Sequence, residues 1–231
     1  MQLIENIRSS PPSRRVQGGR GNVSGNYPSQ KMGVTIQFES HKCELARIYE
    51  LEHDADILEY YDQPPPIELS YEAKSGRRNR HCYTPDFFVI RSVSAGWEEC
   101  KPTEALKPLS EKSPNRYSLD DSQRWRCPPA EEYAARFGLS FNVWTDAAVN
   151  WIFQSNCIWL EDYLHSENLL IEEQSTAKVL SVLEQQSSIT LSELLQIGVK
   201  ADDIYALIAT QKIYVDHNLC RLSQSCRIKV Y

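Results

Sequence analysis

Two short stretches carry side chains whose types and spacing could do chemistry together: Tyr83-Thr-Pro-Asp-Phe-Phe-Val-Ile90 and Trp97-Glu-Glu-Cys-Lys-Pro102. Asp86 follows Pro85 and precedes an apolar run, the mouth of a strand, where proline is tolerated because a first strand residue need not donate to the ladder. Glu99 and Lys101 fall two apart, so a strand projects both from one face and turns Glu98 and Cys100 to the other. Paired as a hairpin, the two strands bring Asp86 and Glu99 to one end with Lys101 beside them. Carboxylates are hard oxygen ligands of the kind Mg²⁺ takes while keeping waters and bridging to substrate phosphates. An ammonium group beside them can offset charge developing on phosphorus. The set fits metal-dependent phosphodiester cleavage, with Mg²⁺ as the expected cofactor and Mn²⁺ as a substitute. An Asp before a strand also serves as a turn residue, and Glu-x-Lys as a solvated strand edge; the surrounding chain decides between these readings.

The positioning elements follow from periodicity. From Gln37 to about His53 an apolar stripe of Phe38, Leu45, Ile48 and Tyr49 predicts a helix, with Glu44, Arg47 and Glu50 at polar positions. On that helix Glu39 lies at the margin of the buried stripe, where a carboxylate needs a partner such as a metal or a lysine; near a helix start it also complements the dipole. Asp54 to Asp62 reads as a turn and short helical segment ended by the prolines at 64–66. Ile67 to Tyr71 alternates as a strand, and 74–80 is a glycine-bearing turn whose Arg77, Arg78 and Arg80 form a candidate phosphate-contacting tip. Strands follow over 80–83 running into 86–91, and over 96–101. A polar loop with a short helix spans 102–129, a helix covers 130–137 with Gly138 as its C-cap, and a strand covers 139–144. A helix, consecutive strands, a helix and a further strand make an α/β or α+β core.

The 231 residues allow two domains or one elaborated domain. A hydrophobic content of 41% with 24% charged residues is that of a globular protein, and no apolar run approaches the roughly 20 residues of a membrane span. The expected location is the cytoplasm, away from any membrane. Seven cysteines, an odd number with no C-x-x-C pair, argue against both a disulfide framework and a zinc site. The net charge of -6 confines nucleic-acid contact to local patches. One such patch is the segment 1–33, rich in Ser, Pro, Gly and Asn, where Arg8, Arg14, Arg15, Arg20 and Lys31 face a single acid, Glu5. It reads as a flexible basic arm in which Arg14 and Arg15 contact phosphate, or as a solvated tail.

After a helical stretch over 147–171, the chain reads as a second unit. Helices are expected over 176–184, from the capping box Thr190-Leu-Ser-Glu193 to Gly198, and over 201–210, followed by a hairpin of 213–215 and 220–222 around Asp216-His-Asn218. That is the element order of a winged helix-turn-helix. Its third helix opens with Asp202 and Asp203, which suit the helix dipole and would repel phosphate, so the unit suits protein as well as DNA.

Phe38-Glu-Ser40, Asp56-Ile-Leu-Glu-Tyr-Tyr-Asp-Gln-Pro64, Tyr83-Thr-Pro-Asp-Phe87 and Glu99-Cys-Lys-Pro102, in this order, resemble the TnsA family, the endonuclease subunits of heteromeric transposases. The resemblance runs from about residue 34 to the end. It implies a restriction-endonuclease-like core, a mixed sheet flanked by helices, over 34–165 and a winged-helix domain over 166–231. It implies Glu39, Asp86 and Glu99 as metal-binding carboxylates and Lys101 as the catalytic lysine. It further implies cleavage of double-stranded DNA at the 5′ ends of a transposon, beside a TnsB-type DDE transposase and a TnsC-type AAA+ ATPase regulator. The alternating stretch Ile228-Lys-Val-Tyr231 at the chain's end leaves open whether the transposase is separate or fused. A restriction or repair nuclease of the same fold is the alternative, and a winged-helix adaptor with a silent nuclease core is the alternative of another class.

Overall fold

A computed structural model describes residues 2–16, 23–166 and 168–230, in two compact units, Met1–Val149 and Asn150–Tyr231. The division falls ahead of the expected boundary at 165/166, because the helix over 151–164 packs with the later helices. Among the described residues no helix is long and apolar enough to cross a membrane.

The first unit opens with α1 (Gln2–Ser9), which buries Ile7, and with the hairpin of β1 (Gly25–Ser29) and β2 (Val34–Phe38), closed at Gly33 with φ of +64°. Where a flexible basic arm is expected, these residues are tied into the fold: Tyr27, Ile36 and Phe38 alternate inward with the strand period. Arg20 lies outside the described residues. The helix predicted from Gln37 therefore begins only at Glu44, as α2 (Glu44–His53), and Glu39 sits in the bend between strand and helix. The stretch read as turn and helix is instead a strand, β3 (Ile57–Asp62). Its run Ile-Leu-Glu-Tyr-Tyr is too short for periodicity to separate the two, and pairing with a neighbouring strand decides it.

β4 (Ile67–Glu72) and β5 (Arg78–Tyr83) form a separate hairpin with Gly76 at its turn, and β4 places Ile67 and Leu69 in the core. β6 (Phe87–Arg91) and β7 (Ala95–Cys100) pair antiparallel, as the sequence predicts, with Phe87 opposite Glu98. After α3 (Thr103–Lys112), a two-residue hairpin of β8 (Ser118–Leu119) and β9 (Trp125–Arg126) and α4 (Pro128–Ala135), the chain returns as β10 (Ser140–Trp144). β10 lies parallel to β7, giving a mixed sheet of order β10-β7-β6-β3. On one face Phe88, Trp97 and Phe141 pack with Ala130 and Ala134 of α4. On the other, Glu98 meets Arg47 of α2. Gly96 allows the close approach of β7 and β10, since a Cβ there would stand 2.2 Å from the Ser140 carbonyl oxygen.

The second unit comprises α5 (Trp151–Leu164), α6 (Glu173–Gln185), β11 (Ile189–Thr190), α7 (Leu191–Gln196), α8 (Ala201–Ala209) and β12 (Arg227–Ile228), around Val179, Leu194, Ile204 and Leu207. The Thr190–Glu193 capping box forms as predicted, and Gly198 takes φ of +82°. The expected hairpin differs. Tyr214 bridges to Lys229, β11 pairs with β12, and 220–222 is held as loop by Asn156, which donates to the His217 and Cys220 carbonyls and accepts from the Leu222 N–H. The acids of α8 are engaged internally: Asp203 is buried on the Ser175 hydroxyl and Asp202 accepts from Tyr163.

Candidate catalytic site

The β6–β7 register, carried one step beyond Phe87 and Glu98, sets Asp86 across from Glu99 at one end of the sheet. Asp86 is buried and its Oδ2 accepts the Cys100 N–H at 2.7 Å, so the carboxylate is fixed by the strand that bears Glu99 and Lys101. The Lys101 N–H donates to the Trp144 carbonyl at 2.9 Å, which extends the β7–β10 pairing to the lysine. Lys101 Nζ pairs with Glu99 Oε1, while Glu99 Oε2, fully buried, has no hydrogen-bond partner among the described residues. Alternation therefore does what the sequence predicts: Glu99 and Lys101 share one face, and Glu98 and Cys100 point to the other.

A further carboxylate joins them that periodicity leaves at a polar helix position. Glu44, first residue of α2, is buried, and its Oε2 accepts the Glu39 N–H at 2.8 Å. Burial and then the charge of Asp86 push Glu44 up to about 8. Burial also raises Asp86 and Glu99 above the ordinary carboxylate range, against the pull of Lys101. Burial disfavours charge on Lys101, but Glu99, Tyr117 and Asp86 outweigh it, and its pKa stands above the usual lysine value. Raised carboxylates crowded in one place are a mark of a functional cluster.

Glu39 lies at the rim, its side chain held by Arg14 Nη1 at 2.8 Å. Arg14 in turn donates through Nε to Gln63 Oε1 at 2.6 Å. From the loop after α3, Arg116 lies over the Tyr83 and Tyr117 rings, 5.2 and 5.1 Å from their centroids, and adds positive potential at Glu99. Arg77, Arg78 and Arg80 are exposed around the β4–β5 turn; Arg80 is paired with Glu68, and Arg78 donates to Ser70. Arg15 is exposed.

Residues 54–146 match the family model of the TnsA-like endonuclease N-terminal domain. This segment belongs to the TnsA-like endonucleases. The matched span takes in Gln63, Asp86, Glu99 and Lys101, and the mixed sheet flanked by helices fits a restriction-endonuclease-like core. A nuclease role in heteromeric transposition follows for the TnsA-like domain. A comparison with curated proteins finds no match.

The donor set can be tested against Mg²⁺. Among the described residues no group of three or more His, Cys, Asp or Glu side chains is placed so that it could hold a metal ion. Mg²⁺ does not require such a group, since one or two carboxylates suffice when waters and a substrate phosphate complete the shell. Glu99 Oε2, without a partner among the described residues, and the buried Asp86 carboxylate are two hard oxygens of the kind Mg²⁺ takes.

Proposed function

We propose that this chain is the metal-dependent endonuclease of a heteromeric transposase, cutting the 5′, non-transferred strand at transposon ends. The observation that carries the reading is the Asp86–Glu99–Lys101 constellation, in which Glu99 Oε2 is buried without a partner among the described residues. Asp86 and Glu99 would present oxygens to Mg²⁺ or Mn²⁺, with Glu44 the neighbouring buried carboxylate and Glu39 at the rim. Bound there, such an ion lowers the pKa of a water and offsets phosphoryl charge. Lys101, held protonated by its neighbours, leaves Glu99 for the phosphate oxygens and balances charge gathering on phosphorus. Arg77, Arg78, Arg80, Arg14 and Arg15 supply backbone contacts to double-stranded DNA.

The partners in this reading are a TnsB-type DDE transposase and a TnsC-type AAA+ ATPase, acting in the cytoplasm. The element order of 173–230, three helices with short pairing strands between and after them, supports a winged helix there. With α8's acids used internally, that unit suits a protein partner as well as DNA. The test is strand-specific cleavage of DNA carrying paired transposon ends in Mg²⁺, with and without transposase and ATPase. Cutting of the 5′ strand that needs both partners is expected. Robust sequence-specific cutting by the chain alone would favour a restriction-type nuclease, and no cutting under any condition a silent-core adaptor.

A further inference from the structure

Gln63 is buried, 1% exposed, and its φ of +46° lies in the left-handed region that non-glycine residues avoid. Three bonds converge on it. Its N–H donates to the Asp86 carbonyl at 2.9 Å, its carbonyl accepts the Ser13 N–H at 2.8 Å, and its side-chain Oε1 accepts Arg14 Nε at 2.6 Å. The Ser13 hydroxyl also donates to the Pro64 carbonyl at 3.0 Å. The N-terminal segment is thus pinned beside Asp86 at one point.

The consequence falls on Arg14. With Nε committed to Gln63, its two terminal nitrogens form a fork, which closes on Glu39 at 2.8 and 3.4 Å. A carboxylate and the paired non-bridging oxygens of a phosphodiester present nearly the same acceptor geometry to a guanidinium. The fork also stands close enough for its charge to reach Asp86 and Glu99. Backbone strain at a residue with three such bonds is the pattern of a site that holds a functional group in place.

We propose that Gln63 is a positioning residue that aims Arg14 as a clamp on the DNA phosphate entering the site, with Glu39 holding the fork in the absence of DNA. This rests on the DNA-cleaving reading above and names the residue pair that sets its substrate contact. On binding, the Nη groups pass from Glu39 to phosphate while the Nε bond to Gln63 persists.

The test uses the full-length chain, a fluorescein-labelled 30-base-pair duplex and Ca²⁺ in place of Mg²⁺, with affinity measured across a salt series. Gln63→Gly accepts the backbone conformation and removes the amide; Gln63→Asn, which also tolerates positive φ, gives a second variant with an amide one methylene shorter should glycine fail to fold. Arg14→Gln removes the clamp. Each change is expected to weaken binding about tenfold at low salt and to flatten the log–log salt slope by about 0.9, one phosphate contact. Combining Gln63→Gly, or Gln63→Asn, with Arg14→Gln should weaken binding no further than Arg14→Gln alone. Divalent-ion affinity, measured by calorimetry without DNA, should be unchanged in the Gln63 variants, which keep the charge of Arg14. An unaltered slope in both folded Gln63 variants, or additive losses in the double variant, overturns the proposal. So does altered ion affinity in a folded Gln63 variant, which would make the glutamine part of the metal site. Lack of cleavage by the wild type in Mg²⁺ with its partners, while the slope changes persist, would sink the nuclease reading and leave the clamp standing.

Discussion

Asp86 combines two duties that separate under mutation. Its charge serves the site, and its Oδ2 holds the Cys100 N–H within the strand that carries Glu99 and Lys101. Asp86→Asn keeps an acceptor for that N–H and removes the charge, so it is expected to abolish cleavage while melting no lower than wild type, since mutual repulsion among the buried acids eases. A variant that cuts at the wild-type rate in Mg²⁺ would remove Asp86 from the site. Lys101 has the complementary role. Its raised pKa keeps the ammonium charged across the neutral range, which suits charge stabilisation rather than proton abstraction. Lys101→Ala should therefore lower kcat by about 10²–10³-fold, the usual cost of losing one preorganised donor, measured as single-turnover cleavage.

The strand β7 is fixed from both faces and from its edge. On the α2 face, the Glu98 carboxylate accepts Arg47 Nε at 2.8 Å and Arg91 Nη2 at 2.6 Å. Burial works to raise Glu98, but the two guanidinium groups win and hold it below the ordinary carboxylate range. Glu98→Gln leaves both arginines short of a charge and should cost about 3–5 kcal/mol at pH 7. The pKa is depressed in the folded state, so this stabilisation is complete above the ordinary glutamate value and is lost as pH falls through the lower folded one. Urea unfolding of wild type and variant should differ widely at pH 7 and converge at strongly acid pH; a gap independent of pH would contradict the assignment. At the edge, Gly96→Ala would drive a Cβ into the Ser140 carbonyl. A loss of about 1–3 kcal/mol is expected, with weakened cleavage although no charged group is touched, because β7 carries both Glu99 and Lys101.

At the scale of the molecule, two units each have a core. Ile67, Phe88, Trp97 and Phe141 belong to the first, and Val179, Leu194, Ile204, Leu207 and Ile228 to the second. The second unit also has its own stops and caps: Asn150 accepts from the Ile152 and Phe153 N–H groups at the start of α5, and the Thr190 box opens α7. Residues 150–231 expressed alone should therefore fold, giving a cooperative thermal transition. A broad, non-cooperative melt would mean that its core is completed by other parts of the protein. The isolated full chain has a net charge of -6 and only local basic patches. Weak binding to DNA without partners is consistent with that charge, and partners would act by raising effective concentration.

Some of this was determined by sequence alone. Period-two alternation at 97–101 separates Glu99 and Lys101 from Glu98 and Cys100 whatever the strand packs against, and a short connection makes β6 and β7 neighbours. The capping box at Thr190 and the left-handed glycines at 138 and 198 are equally local, since each depends on residues within one turn. Glu44 was not legible, because on α2 it occupies a polar position that solvent would accept. Only the tertiary fold buries the position and exposes it to the charge of Asp86. β3 is not legible in the sequence either. Its few apolar residues fit either period, and the long-range pairing with β6 chose the strand. Gln63 reads as a loop residue before proline, and its role exists only where residues fifty positions upstream and twenty-three downstream meet its backbone and side chain. Contacts distant in sequence leave no periodic trace, so burial of a charge and its partners are decided by tertiary structure.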